Sequence, residues 1–545
     1  MAGLRPALVL GLDGATFDVI HPLVAAGRLP TLARMLAEGA AAPLPSTVPA
    51  MTFPAWSALL TGRSPGEHGL FDFTQKVPGR YRVAFTNATH RAGTTLFRRV
   101  ADAGGAVLAL GMPTTFPPEA LPGLQVCGFD APVSRGTNDR SVSDPDLYAR
   151  VASTAGPWMV PDLDEGASGD AWHERALEVL LARIARKQAF ALEALARLRA
   201  QGDDPTLMCV VFSESDTVCH HFWRDHDPAS PRHDPAAPAR RRDAVALVYE
   251  RLDEACGALR EAFGRKRPCI VVSDHGAGGA ARRVVHLNRR LERCGLLTRR
   301  PRGGLEPWAR RARDTALRLL PAGAAEAVFR RFRPAAARVE SAARFGGFDW
   351  SATAAFSEEV NTQPGVWINL AGREAAGCVP AADYEATRDR VIAALRDWTL
   401  AGGQPVIARA RRREDVYTGA FVDRAPDIVV ELGDEDGYLL SLVATPWDRD
   451  PEPVRTLEDD ELAGGRGRGM NGTHRSSGVW IETGGGLAPP LPRSIVDAHG
   501  RVLAALGLAA APAPGPGDAV PPEAAYTAAE EAEVRDRLRR LGYLE

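Results

Sequence analysis

The sequence predicts an α/β fold: a mostly parallel central sheet flanked by helices and interrupted by an inserted helical cap. Three observations carry this. Short apolar runs bounded by polar residues or glycine recur at Ala7–Leu12, 106–111, Leu207–Phe212 and Cys269–Val272. Segments of helical period lie between them, at 23–38, 172–200 and Ala244–Phe263. Buried strands alternating with helices mark a parallel sheet covered on both faces. Third, Asp13, Asp216 and Asp274 each follow one of these runs within a few residues. In open α/β sheets ligands bind outside the carboxyl ends of the strands, so acids at those ends converge on one edge. A single aspartate after a strand is by itself a turn or helix-cap residue. Three of them with histidines nearby point to chemistry.

The totals bound the rest. A chain of 545 residues has room for about three to four domain-sized units, or for one large sheet with insertions. A formal net charge of −2 exerts no overall pull on nucleic acid or membrane, and no specific nucleic-acid binding is expected. Cys127, Cys209, Cys219, Cys256, Cys269, Cys294 and Cys378 are odd in number and contain no CxxC pair. Free thiols in a reducing compartment fit this better than a disulfide framework. The first apolar run is too short for a signal or a membrane span and meets Asp13 at once, so it reads as a buried strand. A cytoplasmic protein without a transmembrane segment is expected.

In chain order, 1–276 reads as the first part of the catalytic core. Residues 277–345 carry 17 arginines against 5 acids and read as a helical insertion or cap that could attract polyanionic or lipid-head-group substrates. An arginine-rich solvated helical face is the plainer account of the same segment. Strand-like sequence resumes at 356–370, Ile428–Leu432 and 478–482, making 346–508 the second part of the core. Residues 509–523 form a Pro/Ala/Gly linker, and 524–545 a short charged helix.

The spacing of acids and histidines suggests a metal centre. Asp216 and His220 stand four apart and share one face of a helical turn. Asp274 and His275 are adjacent at a strand end before Gly276, where the chain can turn sharply. His474 lies in the glycine-rich stretch GRGRGMNGTHRSSG, read as a loop, and Asp13 completes the set. Mixed carboxylate and imidazole donors suit zinc, with manganese or iron as alternatives. Six such groups are enough for two ions, which can clamp the two oxygens of an in-line phosphoryl transfer. Thr52 precedes Phe53-Pro54 and an apolar helical stretch. Pro54 suits a first helical turn, so Thr52 falls at a helix N-terminus, where N–H groups and the helix dipole favour anions. A plain N-cap is the commoner role for a lone threonine; metal coordination would instead make its hydroxyl a nucleophile.

Taken in order, Asp13-Gly14, Thr52-Phe53-Pro54 with Thr61-Gly62, Pro65 and His68-Gly69, Asp216-xxx-His220, Ser273-Asp274-His275-Gly276 and Gly472-Thr473-His474 resemble one family. It is the type I phosphodiesterase/nucleotide pyrophosphatase branch of the alkaline phosphatase superfamily. HFWRDHD, HLNRRLERCGLL and FDW…INLAGRE look like a bacterial and archaeal set of phosphodiesterase-like proteins within it, and the C-terminal RLRRLGYLE resembles segments of the superfamily. The resemblance implies an alkaline phosphatase-like sheet and a metal-dependent phosphoric ester hydrolase. It implies Asp13, Thr52, Asp274 and His275 around one metal and Asp216, His220 and His474 around the other. Thr52 would attack phosphorus and form a phospho-threonine, which water then hydrolyses.

One departure matters. Nucleotide pyrophosphatases place an asparagine about twenty residues past the nucleophile to hold a phosphate oxygen, and this chain has Asp72-Phe73 there. The resemblance therefore supports phosphoryl chemistry on a phosphate-ester or lipid-head-group substrate more firmly than a nucleotide. Phosphomonoesterase, phosphonate hydrolase and phosphate-transferring mutase activities share the scaffold, and a silent binding protein is the alternative outside enzymes. No C/S-x-P-x-R pattern surrounds Thr52, which disfavours a sulfatase. Phe53, Trp223 and Arg373 are candidate substrate contacts. His68 reads as a loop-packing histidine, and His226 and Asp227 as surface or supporting residues.

Overall fold

A computed structural model describes residues 3–81, 83–131, 139–158, 163, 170–300, 347–359, 364–446, 452–462, 470–485, 490–509 and 533–534. Most of the arginine-rich segment, the predicted linker beyond residue 509 and nearly all of the predicted C-terminal helix lie outside the described residues.

The first half of the chain alternates strand and helix. Its elements are β1 (Ala7–Leu12), α1 (Phe17–Ala25), α2 (Pro30–Glu38), β2 (Ala40–Pro45), α3 (Thr52–Thr61), β3 (Val107–Met112) and β4 (Gly123–Cys127). There follow α4 (Asp170–Ala200), β5 (Leu207–Phe212), α5 (Glu214–His226), α6 (Ala244–Phe263), β6 (Cys269–Val272) and β7 (Gly276–Val285). The second half contributes β8 (Gly365–Ile368), α7 (Tyr384–Arg396), β9 (Ile407–Arg412), β10 (Ile428–Leu432), β11 (Tyr438–Leu442), β12 (Val454–Thr456), β13 (Gly472–Arg475), β14 (Ser477–Thr483) and α8 (Ile495–Ala505).

The main sheet has the order β2–β14–β6–β1–β5–β3–β4. Only β14 runs antiparallel to its neighbours. Side chains alternate across it: Leu8, Leu10 and Leu12 join the core beneath α1, α2, α4, α5 and α6. Ala7 and Val9 join the core beneath α3 and α8 on the other face. This is the layered, mostly parallel arrangement that the apolar runs predicted. Proline-bearing β2 was not expected; it sits at the sheet edge, where a missing N–H costs no ladder bond. An antiparallel sheet containing β8, β10 and β9 forms a smaller second core.

The predicted cap boundary needs correction. Residues 276–285 are strand β7, and Leu287–Arg293 is the first helix after it. β7 pairs with β11, β12 and β13, so 277–285 belongs to a sheet and not to a helical insertion. Its glycines and arginines had masked a strand. Helix 23–38 likewise divides into α1 and α2. All seven cysteines are free. No helix among the described residues is long and apolar enough to cross a membrane.

Candidate active site

Strand register brings the predicted residues together. Leu12 pairs with Phe212 and Gly11 with Val272, so Asp13 and Ser213 leave the sheet level with one another at its carboxyl edge, with Ser273 one residue away. Asp13 and Gly14 turn directly over the first turn of α5, which carries Asp216. Gly14 holds a left-handed φ of 64°, and a Cβ there would lie 2.7 Å from Asp216 Oδ1. Glycine meets both demands.

His474 is on a strand, not in a loop. β13 pairs antiparallel with β7, setting His474 opposite Ala277, and the His474 and His275 rings stack at 3.8 Å. The glycines around it reflect close approach: a Cβ on Gly472 would lie 2.2 Å from the Cys219 carbonyl oxygen of α5. Thr52 is the first residue of α3, after Met51 as N-cap. It is buried, with Oγ1 3.4 Å from His275 Nε2.

Around that contact the acids and imidazoles converge. His275 Nε2 lies 3.5 Å from Asp13 Oδ1 and 3.3 Å from Asp274 Oδ2. Asp216 Oδ1 lies 3.2 Å from His220 Nε2 and 3.5 Å from His474 Nε2, and the two Nε2 atoms are 3.0 Å apart. Asp13, Asp274 and His275 thus form one ligand-capable group, and Asp216, His275 and His474 a second. His275 is common to both groups.

The hydrogen bonds of these residues fit a cation. His220 Nδ1 donates to the Gly472 carbonyl (2.9 Å), His474 Nδ1 to Ala50 (3.0 Å) and His275 Nδ1 to Gly276 (3.0 Å). A carbonyl can only accept, so each Nδ1 carries a proton and Nε2 is the nitrogen each ring turns inward, as in metal-ligating histidines. Asp13 Oδ1 and Asp274 Oδ2 are buried without a hydrogen bond.

The electrostatics agree. Burial, then the charges of Asp274 and Asp216, push the Asp13 carboxyl far above its usual range. Burial also raises Asp274, to about 8, with Asp216 adding to the effect. Burial acts the same way on Asp216, but His220 and His474 outweigh it and hold that carboxyl well below the usual range. Burial and the neighbouring His474 lower His275 to about 3. Three crowded acids, two of them pushed far up by burial and by neighbouring carboxylates, are stabilised together by positive charge placed among them and the inward-facing imidazoles.

Some supporting residues escaped the sequence reading. Trp56 Nε1 donates to Asp13 Oδ2 (3.1 Å), and Ser215 Oγ to the Asp13 carbonyl (2.6 Å). Trp56 stands one helical turn past Thr52, the one signal that could have found it. His68 is a packing residue: it bonds the Pro54 carbonyl (3.1 Å), and burial followed by the Arg91 charge lowers it to about 3. Asp72 accepts from the Phe73 N–H at 2.6 Å.

The proposed substrate contacts fare differently. Phe53 is buried edge-to-face on Phe73, ring centroids 4.4 Å apart. Trp223 is buried with Nε1 donating to Asp227 (3.3 Å), which also accepts from the Tyr438 hydroxyl (2.9 Å). Arg373 spends four hydrogen bonds on Asp427, Glu374 and the Ile368 carbonyl in the smaller core. None of these contacts brings the three side chains into the acid–histidine cluster.

Sheet and edge site together define an α/β protein of the alkaline phosphatase-like class. It is similar in fold to phosphonoacetate hydrolase from Sinorhizobium meliloti 1021 in complex with phosphonoformate (15% identity, TM-score 0.55, 92% of this chain and 96% of that one). The same enzyme with phosphonoacetate gives 16% identity and a TM-score of 0.54 over the same shares. Human ectonucleotide pyrophosphatase/phosphodiesterase 5 is a weaker likeness (14% identity, TM-score 0.49, 94% and 97%). No curated protein matches the chain. The chain belongs to the type I phosphodiesterase/nucleotide pyrophosphatase family, which it matches over residues 7–448. Its chemistry is that of a metal-dependent phosphoric ester hydrolase.

Proposed function

We propose that the protein is a phosphodiesterase working through a covalent phospho-threonine at Thr52. The observation that carries this is the placement of a buried hydroxyl at the first residue of α3, 3.4 Å from His275 Nε2. The free N–H groups of that helix end accept an anion, and the acids beside it supply a cation site. Asp13, Thr52, Asp274 and His275 would hold one divalent ion, and Asp216, His220 and His474 a second. Bound there, zinc (or manganese or iron) supplies positive charge that acidifies the hydroxyl and neutralises charge developing on the phosphate. Thr52 Oγ1 bonds to phosphorus as the bond to the leaving oxygen breaks, and water then cleaves the phospho-threonine. Trp56 and the Gly14 N–H orient Asp13 and Asp274 throughout.

Purified protein loaded with Zn²⁺ or Mn²⁺ should hydrolyse bis-p-nitrophenyl phosphate. Thr52→Ala should reduce kcat by roughly 10³-fold or more with the circular dichroism spectrum unchanged. Full activity in that variant would remove Thr52 as nucleophile, and indifference to chelation would remove the metals. Comparing a diester, a monoester and a phosphonate separates this reading from the phosphomonoesterase, phosphonate hydrolase and mutase alternatives on the same scaffold.

A further inference from the structure

Outside the acid–histidine cluster, residues 87–91 bring two buried donors to the carboxyl edge of the main sheet. The Asn87 side-chain oxygen accepts from the Thr89 N–H (3.0 Å) and Thr89 Oγ1 (2.9 Å). Those bonds fix the amide's orientation, so Nδ2 is a true donor. It is fully buried and has no hydrogen-bond partner. Four residues on, Arg91 is only 8% exposed. One guanidinium nitrogen donates to the Thr114 carbonyl and to Thr114 Oγ1. Nε is buried and unpartnered, and among the described residues no carboxylate forms an ion pair with Arg91.

The acids whose charges reach Arg91 are Glu119 and Asp130, and both have other partners. Asp130 accepts from the Thr114 and Phe116 N–H groups (3.0 and 2.8 Å). Glu119 accepts from Thr95 Oγ1 (2.7 Å) and pairs with Arg98 (3.6 Å). A guanidinium buried without its own counter-charge is rare, because desolvation is then uncompensated. An anion would supply the acceptor that the buried Arg91 Nε lacks, and Asn87, at the other end of the same one-turn helix, lacks one at Nδ2.

Position gives that anion a meaning. Thr114 follows β3, and its Oγ1 is 3.1 Å from Ser57 Oγ, on the same helix as Thr52. β3 stands two strands from β1 in the main sheet, about 10 Å along the edge from Asp13 at the usual strand spacing. Resting on the reading of Thr52 as the phosphoryl-transfer residue, we propose that Arg91 and Asn87 form a subsite for a second anionic group of the substrate. The substrate is then a phosphate ester whose organic part itself carries a carboxylate or phosphate.

The subsite can be tested without turnover. In EDTA, inorganic phosphate at ten times its Kd should raise the Tm of the full chain by roughly 1–2 °C over sodium chloride of equal ionic strength. Arg91→Met should lose that shift. Arg91→Lys, which keeps the charge and covers the case where Arg91→Met does not fold, should retain part of it. In the metal-loaded enzyme, 4-phosphonobutyrate should inhibit about tenfold more strongly than butylphosphonate, and Arg91→Met should narrow that ratio to about twofold. Substituting propane-1,3-bisphosphonate for 4-phosphonobutyrate tells whether phosphate or carboxylate is preferred. Equal phosphate shifts in wild type and Arg91→Met, or no preference between the two inhibitors in wild type, overturns the proposal. Absence of any hydrolysis would sink the phosphodiesterase reading and leave the EDTA measurement to decide the subsite.

Discussion

Replacing Gly14 by alanine probes how the main-sheet edge holds its ligands. Gly14 follows Asp13 and sits at a φ of 64°; an added Cβ would meet Asp216 Oδ1 at 2.7 Å, its Cβ at 2.9 Å and its Cα at 3.0 Å. Gly27 is the matched control, with a φ of 73° and nothing within 4 Å of the added atom. Both substitutions incur left-handed strain of about 1–2 kcal/mol. Only Gly14→Ala adds overpacking, about 1–3 kcal/mol, because Asp216 Cα is backbone in the first turn of α5 and cannot rotate aside. Urea unfolding in EDTA should therefore find Gly14→Ala destabilised by about 2–5 kcal/mol and Gly27→Ala by the strain alone. Pushing Asp216 outward should also weaken metal binding about 10–100-fold and lower kcat/KM by roughly 10², whereas Gly27→Ala stays within about twofold of wild type. If the two variants match in stability and in metal affinity, the close packing of Gly14 on Asp216 does not position the ligand, and the reasoning fails.

Metal affinity should rise with pH up to about 8 and then level. Burial raises Asp274 to about 8 and Asp13 also lies high, so below that pH a cation must displace protons, at about a tenfold cost in affinity per pH unit per proton. Calorimetry in buffers of different ionisation enthalpy should detect the released protons; affinity flat between about pH 6 and 8 would refute it. Trp56→Phe removes the donor to Asp13 Oδ2 and should weaken metal binding about tenfold or more, which a metal titration against a chelating dye measures. An unchanged titration would mean that Asp13 needs no such support. Asp427→Ala strips the buried partner of Arg373 and Tyr384 and should cost about 3–5 kcal/mol in urea unfolding at neutral pH. Burial raises the Asp427 carboxyl, yet Arg373 and Tyr384 hold it below the usual range. Its contribution is thus present above the unfolded value and lost as pH falls through the folded one. A wild-type-to-variant gap that does not shrink in acid would contradict this.

The parts of the fold legible in the sequence were those where one face or one run decides the element. β1, β5 and β6 are continuous apolar stretches, and α6 keeps its period from Ala244 to Phe263. β7 was illegible because GAGGAARRVV has neither an apolar run nor clean alternation. Its glycines are there for close approach: a Cβ on Gly276 would lie 2.2 Å from the Ser477 carbonyl. β13 was misread as loop for the same reason. Site residues were legible as motifs while their pairing was not. Asp216 and His220 share a helix, but Asp216 meets His474 only because β13 pairs with β7. Arg373 reads in the sequence as a candidate substrate contact, and its commitment to Asp427 is visible only in the smaller core.

The site's anchoring argues that the cluster is more than a satisfied polar core. A core histidine satisfies both ring nitrogens within the protein, whereas here each Nδ1 is bonded to a carbonyl from a different segment, at Ala50, Gly276 and Gly472. Those bonds fix the rings so that Nε2 of His220 and Nε2 of His474 face one another at 3.0 Å. A proton or a cation between those two nitrogens gives both an attractive partner. Burial and His474 keep His275 neutral, and Asp13 and Asp274 keep oxygens with no donor at all. Protons could quiet the acids singly, but a shared divalent charge answers every one of these deficits together. The same geometry places a hydroxyl, Thr52 Oγ1, 3.4 Å from His275 Nε2, the nitrogen common to both ligand-capable groups.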